Sequence, residues 1–457
     1  MAEQNRIKYD WIIIGAGPAG YMAGIYAGKY GQKVLVIEKD ELGGVCLNRG
    51  CIPSSFYYQT AEFFNKYAGL KEKKIIQGDV NLRYSELLRN KNEVISRLKK
   101  GIGYLFRKYN VEYIQAQARI ISSHEVSVSM PEGRKVFSCD KVLIAAGSGE
   151  YVPDVIRNSR YYTGETVWGM EKLPESLGVI GGGVVGTEIA LIFSQFGVKV
   201  ILFEMAENIL PFLDEDVVQP VVKKLKENRV RILTGVGVSA AQDDKDKVRI
   251  ELKNGGTFDV DELVVSAGRR PELQSMPEND LPALELGFLK VDESYETSRK
   301  GIYALGDVIN RGKMFAHLAS YQAIDLMKKL HGGEKGRKDI PVPYGLFTVP
   351  QLAGIGLTEK ELRAAGRRYR ILKSPLLSTS MGKIADVKNG FLKLILSHEG
   401  NEVLGAHVVS EKAVELIALM SFLFDHGLQK DFSMIHRTLF LHPSESEVFS
   451  GHILELN

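Results

Sequence analysis

The chain has 457 residues, 44% of them hydrophobic, which is enough for about three or four cored domains at ~100–200 residues each. Lys plus Arg (59) nearly balance Asp plus Glu (56), for a net charge of +3, and this disfavours a nucleic-acid surface or a polybasic membrane face. The opening residues MAEQNRIKYD hold no apolar signal segment, and the longest apolar run, Ala413 to Phe424 with Glu415 inside it, is short of the about 20 residues a membrane span needs. A cytoplasmic protein is expected. With only three cysteines there is no disulfide scaffold, so a close pair reads as redox-active or metal-binding.

Along the chain, Tyr9 to Ile14 forms an apolar strand, followed by Gly15-Ala16-Gly17-Pro18-Ala19-Gly20 and a helical stretch to Tyr30. Gly31 ends the helix, and Val34 to Ile37 is a second strand closed by Glu38. This is a dinucleotide fingerprint in its required context: strand, GxGxxG, helix, strand, acid. Gly15 makes the tight turn, Gly17 lets a pyrophosphate approach the helix N-terminus, and Gly20 lets helix and strand pack closely. Glu38 can accept hydrogen bonds from an adenosine ribose.

Next comes GGVCLNRGCIPSS, residues 43 to 55, with Cys46 and Cys51 behind two glycines and ahead of a proline. As half of a zinc site the pair lacks partners, because Cys139 stands alone in a predicted strand and the nine histidines do not cluster. As mere packing residues the cysteines would sit beside Gly43, Gly44 and Gly50 by coincidence. As a redox dithiol the pair is well placed: it follows a nucleotide unit, and a thiolate near a helix N-terminus is stabilised and reactive.

The nucleotide pattern then recurs. Val179-Ile180 leads into Gly181-Gly182-Gly183-Val184-Val185-Gly186, a helix to Phe196, Gly197, the strand Val200 to Phe203, and Glu204. Gly15, Gly20, Gly31 and Glu38 match Gly181, Gly186, Gly197 and Glu204 at one constant offset without a gap. Gly181, Gly183 and Gly186 are therefore candidates at a second dinucleotide site. Two such sites imply electron traffic between a nicotinamide and, as its usual partner, a flavin. Glu204 would repel a 2′-phosphate, and Met205-Ala206-Glu207-Asn208 offers no Arg or Lys to receive one, so NAD is expected rather than NADP.

These motifs resemble the flavin-dependent pyridine nucleotide–disulfide oxidoreductases. The likeness extends through Ala145-Ala146-Gly147-Ser148, Ser266-Ala267-Gly268-Arg269-Arg270-Pro271 and Gly301 to Asp307, and ends with His442-Pro443-Ser444-Glu445-Ser446-Glu447. It implies an α/β fold with two Rossmann-like domains (1–148 for FAD, 149–272 for NAD), a central domain completing the FAD site (273–338), and a C-terminal α+β dimer-interface domain (339–457). The stretch Gly332 to Lys338 reads as a loop before the last domain.

By the same resemblance, Asp307 would hold the flavin ribityl chain. Ala316 and His317 would open a helix whose N–H groups face the flavin pyrimidine, with no catalytic part for the imidazole. Glu188 would lie near nicotinamide and flavin, against the alternative of a solvated helix carboxylate. Gly44, Ala116, Gly147, Val238 and Gly268 are further cofactor-binding candidates. His442, oriented by Glu447, would be the base that deprotonates a dithiol and would reach the cysteines of the other subunit of a homodimer.

The branch of the family most resembled oxidises protein-bound dihydrolipoyl groups with NAD. There Cys46 exchanges with substrate and Cys51 lies against the flavin. Glutathione-type reductases are expected to carry basic residues at 204–208, and mercury-ion reductases a further C-terminal cysteine pair; this chain has neither. Two alternatives stay open: an NAD(P)H-dependent reductase of another disulfide, and a low-turnover FAD-binding assembly or redox-sensing protein. One departure from the family stands out. Its cysteine run usually closes with Lys where this chain has Ser55, and that Lys is expected to pair with the carboxylate at Glu188.

Overall fold

The computed structural model describes residues 8–276, 282–309, 313–332, 340–400 and 402–450, with side chains omitted at 434, 436 and 437. Most of the stretch read as a loop before the last domain lies outside the described residues.

The first unit runs β1 (Lys8–Ile14), α1 (Pro18–Lys29), β2 (Val34–Glu38), α2 (Gly44–Asn48), α3 (Cys51–Glu72), α4 (Tyr84–Lys108), β3 (Val111–Gln115), β4 (Gln117–Ser122), β5 (Glu125–Met130) and β6 (Gly133–Ile144). Its sheet has the order β3-β2-β1-β6-β5-β4, parallel from β3 to β6 and antiparallel beyond. Every residue of β2 is buried, as expected for a parallel strand covered on both faces. The small residues of α1 allow close packing: a Cβ on Gly24 would press on Val36.

The second unit follows with β7 (Ser148–Glu150), β8 (Tyr162–Thr163), β9 (Ser176–Ile180), α5 (Val184–Gln195), β10 (Lys199–Phe203), α6 (Glu215–Glu227), β11 (Arg231–Leu233), β12 (Val238–Asp244), β13 (Lys247–Leu252), β14 (Thr257–Val260), β15 (Glu262–Val265) and β16 (Arg269–Pro271). A parallel sheet β11-β10-β9-β15-β8 forms its centre, and β12-β13-β14 is an antiparallel ribbon beside it. Strand β16 pairs with β7 where the chain leaves and re-enters the first unit.

After the hairpin β17 (Leu284–Glu285) and β18 (Phe288–Leu289), β19 (Ile302–Ala304) returns to the first sheet and pairs parallel with β6. Helix α7 (Ala316–Leu330) then packs on α1. The last unit holds β20 (Tyr344–Leu346), β21 (Gln351–Gly356), α8 (Glu359–Ala364), β22 (Tyr369–Pro375), α9 (Ser380–Ile384), β23 (Phe391–Ser397), β24 (Val403–Ser410) and α10 (Ala413–Asp425). Its five strands form an antiparallel sheet in the order β20-β21-β24-β23-β22. The long apolar run of the sequence is α10, which buries Ala413, Ile417, Met420 and Phe424 on one face. Among the described residues no helix is long and apolar enough to cross a membrane.

Candidate active site

The two glycine fingerprints build the same local structure, down to single hydrogen bonds. The N–H of Gly15 donates to Ile37 O at 2.7 Å, and that of Gly181 to Phe203 O at 2.8 Å. Glu38 accepts from the N–H groups of Ala16 (2.7 Å) and Asp40 (3.0 Å), and Glu204 from those of Gly182 and Ala206 (2.7 Å). Both acids are thus pinned beside their glycine turns. A Cβ on Gly20 would collide with Gly15 O and one on Gly186 with Gly181 O, so helix and turn can meet only through glycine.

The cradle fits dinucleotides. Helices α1 and α5 are N-capped by Gly17 and Gly183, so neither cap has a side chain bonded to the first-turn N–H groups. Those donors are free to meet an anion at the positive end of each helix. No atom lies within 4 Å of a Cβ built on Gly183, and Gly17 meets only the Gly44 Cα at 3.9 Å, so phosphate can reach both backbones. Beside the first turn a cavity is lined by Gly15, Glu38, Ala116 and Ala146, and the Ala116 N–H donates to Glu38 O at 2.8 Å. Gly147 and Gly268 both have positive φ (74° and 113°) and nothing within 4 Å of an added Cβ. Val238 is half-buried at the start of β12, opposite Leu252; it is Val236, two residues earlier, whose N–H binds the Glu204 carbonyl.

Asp307 lies in a single 3-10 turn after β19, where Ser148 Oγ donates to its Oδ2 at 2.6 Å. Burial raises the Asp307 carboxyl above the usual carboxylate range, with Ser148 and Arg269 opposing the shift. Ala316 and His317 open α7, whose N-cap Phe315 also leaves the first turn without a side-chain acceptor. The His317 ring stacks on Phe315 at 5.1 Å, and its Nε2 bonds Pro343 O at 2.9 Å.

Cys46 lies on the short α2 and Cys51 is the first residue of the 22-residue α3. Cys46 is half-buried and Cys51 exposed in the single chain. The two thiols act on each other: Cys51 pushes the Cys46 thiol far up, and Cys46 draws the Cys51 thiol down against its burial. Among the described residues the group with metal-like spacing is Asp214, Asp216 and Glu359, which contains no cysteine and surrounds the buried Lys393 ammonium.

Glu188, on α5, is buried, and its charge acts on Cys51. Burial raises its carboxyl to about 7, and the N–H of Phe347, which donates to Oε1 at 2.8 Å, is the opposing influence. At the far end of the chain, His442 Nδ1 meets Glu447 Oε1 at 2.8 Å, while Glu447 Oε2 accepts from the Ser444 N–H at 2.9 Å. The imidazole is oriented through one nitrogen and 68% exposed, which leaves Nε2 to exchange protons.

Two neighbours of the site escape a sequence reading. Tyr21, directly after the first fingerprint, has its hydroxyl raised by burial and by the charges of both cysteines, with Ser320 of α7 opposing. The Phe347 N–H that holds Glu188 comes from 159 residues away, and a backbone donor leaves no residue-type signal.

Known proteins bear this geometry out at the level of family. The pyridine nucleotide–disulphide oxidoreductase profile matches residues 9–323, and the dimerisation domain of that family matches 342–452. The dihydrolipoyl dehydrogenase of Staphylococcus aureus is 30% identical over 97% of this chain and 95% of its own length. That of Cupriavidus necator is 31% identical over 96% of each. Among solved structures, the Cu(II) complex of the HOCl-induced flavoprotein disulfide reductase RclA from Escherichia coli superposes with a TM-score of 0.88 at 26% identity, covering 99% of this chain and 100% of that one. With its paired nucleotide cradles, its close Cys46–Cys51 pair and its dimerisation domain, the chain belongs to the pyridine nucleotide–disulphide oxidoreductases, FAD- and pyridine-nucleotide-binding flavoproteins that exchange electrons with disulfides.

Proposed function

We propose that this flavoprotein oxidises protein-bound dihydrolipoyl groups with NAD. The observation that carries the reading is the His442–Glu447 pair, an exposed imidazole oriented by a carboxylate, in a chain that also holds a close dithiol. A dithiol substrate must lose protons before its sulfur can attack a disulfide, and a base near neutrality serves that step.

In this reading Cys46 is the sulfur that exchanges with substrate. The substrate thiolate attacks Cys46 of the Cys46–Cys51 disulfide, the bond between them breaks, and Cys51 leaves as the thiolate. His442 takes the substrate proton. Its exposure in the single chain suits a histidine that works on the dithiol of a partner subunit, so turnover needs the homodimer. Glu38 and Asp307 would hold the FAD nucleotide and ribityl chain, and Glu204 the adenosine ribose of NAD. The two cofactors, when bound, supply the electron carriers between dithiol and solution. The dihydrolipoyl dehydrogenases at 30% and 31% identity support this substrate class.

A second reading is a pyridine-nucleotide-driven reductase of another disulfide. The structural likeness to a disulfide reductase favours it. One panel separates the two: dihydrolipoamide with NAD, against glutathione disulfide and other disulfides with NADH and NADPH. Turnover on dihydrolipoamide with NAD is the expected result, and its absence with activity in the reverse panel replaces the first reading by the second. Reduction by NADH with negligible multiple turnover on every disulfide would mark a redox sensor instead.

A further inference from the structure

Arg49 stands between the two cysteines, in the two-residue link that joins α2 to α3. Its own N–H closes α2 on Val45 O at 2.8 Å. Its side chain meets two acids: Nη2 pairs with Asp40 and Nε with Glu165 Oε2 at 3.4 Å. Glu165 belongs to the second unit, just after β8, and its other oxygen takes Arg269 Nη2 at 2.8 Å. Arg269 in turn donates from Nε to Ser148 Oγ (2.7 Å) and from Nη2 to Ser148 O (2.6 Å). Ser148 Oγ donates onward to Asp307 Oδ2 at 2.6 Å.

A continuous polar chain therefore runs from the turn between the cysteines, through the second unit, to Asp307. Its other end is anchored too, since the Asp40 N–H donates to Glu38. We propose that Arg49 is a positioning residue: its guanidinium, forked between Asp40 and Glu165, fixes the intercysteine turn and so the placement of the Cys46 and Cys51 thiols relative to each other. The role deepens the redox-dithiol reading and uses neither substrate nor nicotinamide.

A guanidinium suits the task because two carboxylates approach from different directions and a planar fork satisfies both at once. An ammonium holds one of them well. Only Arg49 and Gly50 separate the helices, and a Cβ on Gly50 would press on Val45 O (3.2 Å) and Cys46 Cα (3.3 Å), so the turn has little slack. A shift of Arg49 thus moves Cys46 relative to Cys51. Tyr21 of α1, Glu188 of α5 and Asp307 also act on the dithiol through their charges.

The test is the pH profile of dithiol alkylation by iodoacetamide, in which a thiolate displaces iodide, on the FAD-loaded dimer reduced with dithiothreitol. FAD content and thermal midpoint are measured alongside. Arg49→Met is expected to move the lower thiol midpoint upward and slow alkylation at pH 7 at least threefold. Glu165→Gln is expected to do the same, Arg49→Lys to fall between, and the Arg49→Met/Glu165→Gln double variant to be no slower than the slower single. An unchanged midpoint in Arg49→Met, or independent and additive effects of the two singles, overturns the proposal. If Arg49→Met does not fold, Glu165→Gln and Arg49→Lys decide by the same criteria. Because alkylation involves no dihydrolipoamide, a failure here is separate from a failure of the proposed substrate.

Discussion

Glu188 on α5 accepts a hydrogen bond at 2.8 Å from the backbone N–H of Phe347, in the connection between β20 and β21. A buried carboxylate with one neutral donor favours its protonated form, which is why it is raised to about 7. The native state then binds a proton that the unfolded chain releases near 4.5. Stability contributed by this group is full below 4.5 and declines as pH rises through about 7. Glu188→Gln keeps the acceptor for Phe347 and removes the charge. It is expected to flatten that part of the pH–stability curve in urea titrations between pH 5 and 8; an unchanged slope would place the titration elsewhere.

His442 bonds Glu447 through Nδ1. His442→Gln should slow dithiol exchange by ~10²–10⁴, the usual loss of a general base. Stopped-flow reduction of the bound flavin by NADH should be nearly unchanged. Equal loss in both half-reactions would make the histidine a structural element of the dimer.

Glu204 is held against its glycine turn by two backbone donors. The next residue, Met205, is 75% exposed. Replacing Glu204 with Gln and Met205 with Arg removes the anion that repels a 2′-phosphate and adds a fork that can bind it. The ratio of kcat/KM for NADP over NAD should rise, and a constant ratio would show that Glu204 does not face the ribose.

Lys393 is fully buried in β23, with Nζ at 2.6 Å from Glu359, 2.7 Å from Asp216 and 3.2 Å from Asp214. It ties α6 of the second unit to the C-terminal sheet. Lys393→Met removes the one buried cation shared by the three carboxylates, although Asp216 keeps Lys373, Glu359 keeps Arg363 and Asp214 keeps two backbone donors, and it should cost about 3 kcal/mol in urea denaturation. Burial pushes these acids up, but Lys393 holds all three below their ordinary range, helped by the backbone N–H groups of Glu359 and Lys360 at Asp214, by Lys373 at Asp216 and by Tyr369 at Glu359. Their stabilisation is present above about pH 4 and is lost on acidification. A loss under about 1 kcal/mol would show that the acids find other partners.

The sequence carries local pattern well and long-range pairing badly. The fingerprints were legible because GxGxxG, its strand and its acid are contiguous, and the repeat made each copy a check on the other. Cys46 and Cys51 were legible for the same reason, as were His442 and Glu447, five residues apart. Lys393 drew no attention, since a lysine in an apolar strand gives no hint of acids from α6 and α8. Glu188 read equally as a solvated carboxylate, because its burial depends on the C-terminal unit packing over α5. Arg49 drew no attention, because its partner Glu165 lies in another unit and leaves no mark on the local sequence.

Ser55 lies one helical turn beyond Cys51 on α3, and α3 packs against α5, the helix of Glu188. Ser55 carries no charge to offer this carboxylate, whose donor, the Phe347 N–H, is neutral and leaves Glu188 raised to about 7. Near neutrality the site therefore switches between a neutral acid and an anion facing Cys51. The anion opposes negative charge on the dithiol and on a reduced flavin, so the flavin potential should fall as pH rises through 7 more steeply than its own protonation requires. Ser55→Lys should pull Glu188 down to a permanent carboxylate paired with an ammonium. The flavin potential should then rise, its extra pH dependence should vanish, and the dihydrolipoamide half-reaction should quicken. Spectroelectrochemistry from pH 6 to 8 on both proteins, with single-turnover kinetics, measures all three. If potential and rates are the same with Lys as with Ser, the Phe347 N–H already serves Glu188 as well as an ammonium would, and Ser55 is a tolerated substitution.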